Sequence, residues 1–373
     1  MPDNVNNVVN SFNDWDPLQE IIVGTMRGAC VPPLHPTVQA CSDPTNWPFF
    51  QKNGGNPFPK NMIEAAESEL NHFCKLLKAE GVTVHRPEPI DFSKVFKTPD
   101  WESPGLYAAM PRDILTVIGD EIIEAPMAWP SRYFEYRAYR PLMNYYLDKG
   151  CQWTIAPKGT MSDVLYRHDY LIQTIEDRHE MADCDYFVTT ESEICFDAAD
   201  IMRVGKDIFI QRSQVTNNKA ISWLKNHLKG RYRVKPIKFK DPNPMHIDAT
   251  FVPLAPGLIL ANPERPCYDL DCFKEAGWDI IDAPEPTLPY DWPLYLSSRW
   301  LSMNILLLDN NKVFVEENEQ PTIKLLKKLG FKVITLPFRH VYSFGGSFHC
   351  VTCDVRRDSS LVDYKLILES DSS

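Results

Sequence analysis

Hydrophobic and polar positions along the chain repeat in a fixed order. A short apolar segment, a turn and a second apolar segment come first, and an amphipathic helix and a β-branched segment follow. Apolar side chains recur every three or four positions in the helical parts and in short runs elsewhere, which predicts helices and buried strands. Five copies of this pattern begin at Leu18, Ile114, Ile201, Phe251 and Asn304.

The order of two strands, a helix and a third strand predicts a mixed α/β protein. Turn sequences such as Gly-Asp, Gly-Lys and Pro-Gly separate the two apolar segments in three copies, and they favour tight hairpins. One copy cannot bury its apolar face alone, whereas five copies closed into a ring around an axis can. We therefore expect a single domain over residues 1–373, with short flexible ends at about 1–10 and 366–373 and loops at 41–60 and 158–190.

The composition and charge of the chain disfavour some classes of function. The chain has 373 residues and a formal net charge of −11, and an acidic surface disfavours binding to nucleic acid or to an anionic membrane. No apolar run approaches the roughly 20 residues of a membrane-spanning helix, and the first residues lack the features of a signal or transit peptide. These observations predict a cytoplasmic protein whose ten cysteines are reduced thiols.

Residues suited to catalysis stand at the same place in successive copies, directly before the first apolar segment. In a ring, equivalent positions converge near the axis, so we expect these side chains to face one cavity. The residues are Asp113, Asp197, Asp200, His246, Asp248, Ser297, Ser298, Arg299 and, after the fifth copy, Cys350.

These residues also have structural interpretations. Asp113 and Asp197 stand where an aspartate can cap a turn or a helix. His246 can be a core histidine, and Cys350 can be a small buried apolar residue. Recurrence at one place in the repeat favours a joint function over these separate explanations, because an active site is a set of residues in mutual geometry.

Cys350 and Cys353 form a Cys-x-x-Cys pair, which fits redox chemistry, zinc binding or a nucleophile. A redox pair of this kind normally starts a helix. Residues 351–355 instead alternate like a strand, which would point the two thiols to opposite faces. Zinc requires about four ligands, and no second pair with suitable spacing exists in the sequence. The pattern favours Cys350 as a nucleophile and Cys353 as a core residue.

Four stretches of the sequence carry a resemblance to a known family. They are FDAADIMRVGKDIF (196–209), FKDPNPMHIDATF (239–251), SSRWLSMN (297–304) and GGSFHCVTCDVRR (345–357). They closely resemble the arginine amidinotransferases, a family that includes glycine amidinotransferases and amidinotransferases of toxin pathways such as that of saxitoxin. The likeness extends over nearly the whole chain. It implies the pentein fold, an α/β-propeller of five ββαβ modules around a pseudo-fivefold axis.

The resemblance also implies an activity. Family members move the amidino group of L-arginine, through a covalent amidino-cysteine, to a primary amine and release L-ornithine. The acceptor amine would be glycine or an intermediate of toxin biosynthesis. The resemblance implies no metal or organic cofactor, and it implies the two substrates and a second copy of the chain, in a homodimer, as partners.

The family's functional positions carry over residue by residue. The catalytic set matches Cys350, His246 and Asp197, and the guanidinium-binding acids match Asp113 and Asp248. Contacts to the amino-acid end of the substrate match Arg265, Ser297 and Ser298, and the acceptor side matches Asn243 and Met245.

Two other functions stay open on the sequence alone. An arginine deiminase-type hydrolase would use the same nucleophile and resolve the intermediate with water, and residue types do not separate the two reactions. A non-catalytic five-bladed binding protein would be marked by loss of Cys350 or His246, and both are present. The sequence does not identify the acceptor amine.

Overall fold

A computed structural model describes residues 8–172 and 174–366 of the chain. The predicted flexible ends lie outside these residues, except for residues 8–10 and 366. All ten cysteines lie within the described residues, and they form no disulfide there. Among the described helices, none is both long and apolar enough to cross a bilayer.

The strands are short and lie mostly in pairs that precede a helix. In chain order they are β1 (Leu18–Val23), β2 (Thr83–His85), β3 (Val95–Lys97), β4 (Glu102–Pro104), β5 (Leu115–Ile118), β6 (Glu121–Glu124), β7 (Gln152–Ile155), β8 (Ile201–Val204), β9 (Asp207–Gln211), β10 (Arg233–Ile237), β11 (Phe251–Ala255), β12 (Leu258–Ala261), β13 (Asp279–Asp282), β14 (Leu306–Asp309), β15 (Lys312–Glu316), β16 (Lys332–Leu336) and β17 (Thr352–Arg357).

The α-helices vary from one turn to more than five. They are α1 (Pro36–Cys41), α2 (Trp47–Asn53), α3 (Lys60–Ala79), α4 (Pro111–Ile114), α5 (Arg140–Asp148), α6 (Ile175–Asp183), α7 (Asn218–His227), α8 (Leu270–Glu275), α9 (Gln320–Lys328) and α10 (Arg339–Tyr342). Short 3₁₀ helices span Pro44–Asn46, Pro130–Arg132, Glu135–Tyr139, Asp163–Leu165, His168–Ile172, Ala198–Asp200 and Arg299–Met303.

Four three-stranded sheets confirm the predicted ββαβ order. In each sheet the first two strands are antiparallel, and the third strand returns parallel to the second after a helix. The turns after β5 and β8 place Gly119 and Gly205 at φ of 64° and 61°, where a glycine avoids the cost of a side chain. The sheets are β5-β6-β7, β8-β9-β10, β11-β12-β13 and β14-β15-β16.

The fifth sheet joins the two ends of the chain. Its order is β17-β1-β2, with β17 antiparallel to β1 and β2 parallel to β1. The sequence pattern had paired Leu18–Val23 with the apolar segment that follows it, and this prediction was wrong. The first strand of this unit is supplied by Thr352–Arg357, which closes the ring and leaves no unit with an unpaired inner strand.

A buried ionic cluster ties the closing strand to other units. Asp354 on β17 accepts hydrogen bonds from Arg203 on β8 at 2.9 Å and from Arg357 at 2.8 Å, and Arg112 lies 2.6 Å from it. Arg203 also donates to the carbonyl of Val117 on β5 at 2.8 Å. All these side chains are buried, and their mutual pairing offsets the cost of removing the charges from water.

The two insertions that the pattern assigned to loops contain helices. Residues 41–60 include α2, whose second residue is Pro48, a position where proline is tolerated. Residues 158–190 include α6, where Thr174 and Asp177 form a reciprocal capping box. In the second unit, the segment between β6 and β7 is α-helical only from Arg140 to Asp148, with 3₁₀ turns before it.

Candidate active site

The first strands of the five units begin around one cavity of about 810 Å³. Its wall therefore collects the residues that precede these strands, as the repeat predicts. Asp197 and Asp200 are buried and contact His246 from behind. The other predicted site residues line the cavity itself: Asp113, Asn243, Met245, His246, Asp248, Arg265, Ser297, Ser298, Arg299 and Cys350.

Cys350 lies at the base of the cavity in the turn that leads into β17. Its backbone N–H donates to Oδ1 of Asn304 at 3.0 Å, and its Sγ lies 3.4 Å from Oδ2 of Asp248. The preceding turn packs tightly, since a Cβ on Gly346 would lie 2.7 Å from the Cβ of Cys350. The thiol is thus held in a fixed place beside a carboxylate.

The environment of Cys350 opposes the thiolate when the cavity holds no cation. Burial raises the pKa of the thiol well above its usual value, and the charges of Asp248 and Asp113 raise it further. A nucleophilic thiolate therefore needs a positive charge placed against these two carboxylates.

His246 is held from two sides by aspartates. Its Nε2 lies 3.1 Å from Oδ2 of Asp197, and its backbone N–H donates to Oδ1 of Asp200 at 2.9 Å. The residue has a φ of 59°, a left-handed conformation that non-glycine residues rarely adopt. Such strain persists only where the surroundings enforce it, and the two aspartates do so here.

The same carboxylates keep His246 charged. Burial alone would lower the pKa of His246, but Asp113, Asp197 and Asp200 outweigh it and raise the pKa to about 10. Nδ1 of the ring lies 3.6 Å from Oδ1 of Asp113. At neutral pH this histidine is a proton donor on the cavity wall.

Arg132 connects the acids on this side of the cavity. Its Nη1 lies 2.8 Å from Asp113 Oδ2 and 3.3 Å from Asp197 Oδ2, while Nε and Nη2 pair with Glu135. Asp113, Asp197 and His246 offer ligand atoms within 4.8 Å of one another, a spacing compatible with a metal ion. The guanidinium of Arg132 already places a positive charge against both carboxylates.

Two carboxylate oxygens of the cavity wall have no hydrogen-bond partner among the residues that the structure describes. They are Oδ1 of Asp113 and Oδ1 of Asp248, both buried. A buried acceptor without a donor is costly, so a ligand with several N–H groups is favoured here. A planar guanidinium has five such donors and a positive charge.

His349 fixes the second of these acids. Its Nδ1 lies 2.7 Å from Asp248 Oδ2, and its Nε2 lies 3.5 Å from Asp14 Oδ1. Burial alone would raise the pKa of Asp248, but the hydrogen bond and charge of His349, together with the charge of His246, lower it. Asp248 therefore stays ionised beside the thiol.

In another part of the cavity wall, Arg265 contacts two hydroxyl groups and a carboxylate. Its Nη2 donates to Ser298 Oγ at 3.2 Å, its Nη1 to Thr250 Oγ1 at 3.4 Å, and its Nε lies 3.1 Å from Asp241 Oδ2. Ser297 lines the cavity next to Ser298. This group can hold the anionic end of an amino acid.

Several residues that contact the site were not predicted from the sequence. Asn304 stands two residues before β14, close to the repeat position of the other site residues. Its side chain bonds the backbone N–H of Cys350 and the carbonyl of Asp248. His349 adjoins Cys350 in the sequence. Arg132 lies between repeat positions, so no sequence signal marks it.

No family model matches the chain. The chain is 56% identical to the mitochondrial glycine amidinotransferase of Xenopus laevis over 356 residues, which cover 95% of this chain and 84% of that protein. It is 48% identical to an L-arginine:L-lysine amidinotransferase of Pseudomonas savastanoi pv. phaseolicola over 95% of this chain and 96% of that one.

Solved structures give the same family and the fold. SxtG, an amidinotransferase of the saxitoxin biosynthetic pathway from Microseira wollei, superposes with a TM-score of 0.86 at 45% identity, over 96% of this chain and 99% of that one. A dimethylarginine dimethylaminohydrolase shares the fold alone, with a TM-score of 0.54 at 15% identity over 90% and 99% of the two chains.

The predicted fold class is confirmed, because the ring of five ββαβ units is that of the pentein α/β-propellers. The identities to two amidinotransferases over nearly the full chain exceed what the fold alone would give. The chain belongs to the amidinotransferases, enzymes that transfer amidino groups.

Proposed function

We propose that this amidinotransferase moves the amidino group of L-arginine to a small primary amine through a covalent amidino-cysteine on Cys350, with release of L-ornithine. The observation that carries the proposal is the juxtaposition of a buried thiol, two carboxylates with free oxygens and a protonated histidine in one cavity. Each group supplies a step that the reaction needs.

The first step is capture of the substrate guanidinium. The free Oδ1 atoms of Asp113 and Asp248 accept its N–H groups, and paired charge-assisted hydrogen bonds fix its plane. Arg265, Ser297 and Ser298 hold the amino-acid end, with the carboxylate on the guanidinium of Arg265. Both ends of the substrate are then fixed, which places its central carbon for attack.

Substrate binding also activates the nucleophile. The charges of Asp113 and Asp248, together with burial, hold the pKa of Cys350 high in the free enzyme. A guanidinium between these acids offsets their charge, so the Cys350 thiol releases its proton to solvent and becomes a thiolate. The enzyme thus keeps a protonated thiol until the cationic substrate arrives.

The chemical steps exchange one C–N bond for a C–S bond and back. The Cys350 thiolate attacks the central carbon, and the bond from this carbon to the departing nitrogen breaks as protonated His246 gives that nitrogen its proton. Neutral ornithine amine leaves and an S-amidino cation remains on Cys350. The acceptor amine then forms a C–N bond to the same carbon, His246 takes its proton, and the C–S bond breaks to restore the thiolate.

Asp197 orients His246 for both transfers. Its hydrogen bond to Nε2 leaves Nδ1, on the side of Asp113, for the proton in transit. Asn243 and Met245 line the cavity in the segment that leads to His246, and we assign them to the acceptor side. The acceptor is glycine or an amine intermediate of a toxin pathway, and the active form is a homodimer.

Arginine alone tests the first half of this reaction. We expect one equivalent of L-ornithine per active site within seconds and an amidino adduct on Cys350 by peptide mass spectrometry, with no further turnover until an amine is added. Cys350→Ser should give neither product, whereas Cys353→Ser, which changes a buried residue of the same Cys-x-x-Cys pair, should retain both. Continuous release of citrulline would instead identify a deiminase-type hydrolase, and neither ornithine nor adduct would refute the proposal.

A further inference from the structure

Arg178 is a buried cation in the wall of the active-site cavity. It lies on α6, and only 4% of its surface is exposed. It lines the cavity together with Asn243 and His246. None of the steps proposed above uses it.

The charge of Arg178 has no close acidic partner among the described residues. Its Nη1 donates to the neutral amide oxygen Oδ1 of Asn243 at 2.9 Å. Its Nε is buried without a hydrogen-bond partner, and its guanidinium lies 5.2 Å from the ring centre of Tyr170. A buried cation in contact with only neutral groups is costly unless a ligand supplies the counter-charge.

Arg265 pairs with Asp241, a carboxylate close in sequence to Asn243. Asp241 Oδ2 lies 3.1 Å from Arg265 Nε, and Asp241 Oδ1 accepts the backbone N–H of Asn243 at 2.8 Å. Both oxygens of Asp241 are therefore engaged. Arg265 and Arg178 contact the two ends of the segment Asp241–Asn243, and among the described residues only Arg265 has a carboxylate within 4 Å.

L-arginine does not need this second cation. Its one carboxylate is assigned above to Arg265 and Ser298. Arg178 has no such assignment, and the planar fork of its guanidinium matches a carboxylate, a group that an acceptor amine can carry. We propose that Arg178 binds the carboxylate of the acceptor, so that the acceptor is a primary amine that also carries a carboxylate, such as an amino acid. This inference rests on the proposed function.

The position of Arg178 fits a role in the second half-reaction. Its partner Asn243 precedes His246 by three residues in the same segment. Arg178, Asn243 and His246 all line the cavity, so an acceptor anchored at Arg178 shares it with the histidine that takes its proton. Arg178 thus binds acceptors by charge, while Asn243 holds the guanidinium in place.

The test compares each acid acceptor with its amide. Amidino-enzyme formed with arginine is mixed with glycine or glycinamide, β-alanine or β-alaninamide, and L-lysine or L-lysinamide, and kcat/KM for transfer is measured. For each amine, kcat/KM of the variant is divided by kcat/KM of the wild type. This ratio cancels the difference in basicity between an acid and its amide. Arg178→Met removes the charge, and Arg178→Lys keeps it without the fork. Arg167→Met is the matched control, since Arg167 also lies over a tyrosine, Tyr186, at 4.4 Å but does not line the cavity.

We expect Arg178→Met to lower kcat/KM of the best acid acceptor by about 10- to 100-fold and to leave the amides and the ornithine burst unchanged. For the acid acceptor, kcat/KM of Arg178→Lys should lie between the values of the wild type and Arg178→Met, and Arg167→Met should match the wild type. Equal losses for acids and amides, a slower ornithine burst in Arg178→Met, or a wild type that prefers amides would each overturn the inference. A wild type without an ornithine burst would overturn the proposed function first, which separates the two failures.

Discussion

The Sγ atom of Cys350 lies 3.4 Å from Oδ2 of Asp248, and both groups are buried. A carboxylate this close to a nucleophilic thiol opposes ionisation of the thiol. A cationic substrate bound beside both groups offsets the negative charge and favours the thiolate. The relationship therefore couples activation of the nucleophile to the charge of the substrate. It also keeps the resting thiol protonated and less reactive toward other electrophiles.

Asp248→Asn should have opposite effects on the thiol and on catalysis. Without the adjacent charge, the pKa of Cys350 falls in the free enzyme, while arginine loses one of its two carboxylate contacts. Removing one partner of a buried charge pair costs about 2–5 kcal/mol, so kcat/KM for arginine should fall at least about 30-fold. The rate of alkylation of Cys350 against pH, located by peptide mass spectrometry, gives the thiol pKa. A thiol pKa that stays unchanged or rises would show that Asp248 does not control ionisation.

Asp197→Asn should shift the pH profile of the first half-reaction. Protonated His246 is required, so ornithine release is lost as pH rises through the pKa of this histidine, which is about 10 in the folded enzyme. Removing the Asp197 charge leaves Asp113 and Asp200 to oppose burial, so this basic limb should move to lower pH. The rate at neutral pH should fall by about 10²–10⁴ because the ring is also misoriented. Single-turnover ornithine release against pH is the measurement. If the rate falls but the basic limb does not move, Asp197 positions the imidazole ring without raising its pKa.

Asp354→Asn should destabilise the protein far more than the same substitution at an exposed aspartate. Asp354 is fully buried against Arg112, Arg203 and Arg357. Loss of its charge leaves Arg112 and Arg203 with Asp14 alone and removes the acid that pairs with Arg357. We expect a loss of about 3–5 kcal/mol in the free energy of unfolding. Asp363→Asn, which breaks the half-exposed contact to Arg233, should cost less than about 1 kcal/mol. Urea unfolding at neutral pH compares the two, and equal losses would mean that the buried cluster does not hold the ring closed.

Glu69→Gln should stabilise the protein at alkaline pH. Burial raises the pKa of Glu69 from 4.5 to about 7, although its Oε2 accepts the N–H of Val341 at 3.1 Å. A carboxyl with a raised folded-state pKa contributes stability below its unfolded-state pKa, and this is lost as pH rises through the folded-state value. The difference in unfolding free energy between Glu69→Gln and wild type should therefore grow by up to about 3 kcal/mol between pH 5 and 8. Urea unfolding at both pH values measures it, and a constant difference would contradict the prediction.

Much of the site could be predicted because it follows the repeat. Asp113, His246, Asp248 and Cys350 each stand two to five residues before the first strand of a unit, and the ring brings these positions to one cavity. Asn304 obeys the same rule and could have been found from it. Arg132 and Arg178 could not, because they lie in connecting segments whose path depends on packing rather than on local pattern.

The sequence by itself determined the local elements: alternating apolar segments and helical spacing are properties of neighbouring residues, and they predicted four of the five units. Only the tertiary structure decided how the ring closes, because β1 pairs with Thr352–Arg357, more than 300 residues away, and no local signal distinguishes this partner from the segment next to it. The tertiary structure likewise decided which groups of the site are charged. The pKa values of Cys350 and His246 depend on burial and on carboxylates from other units, and both are set by the distance between groups in space.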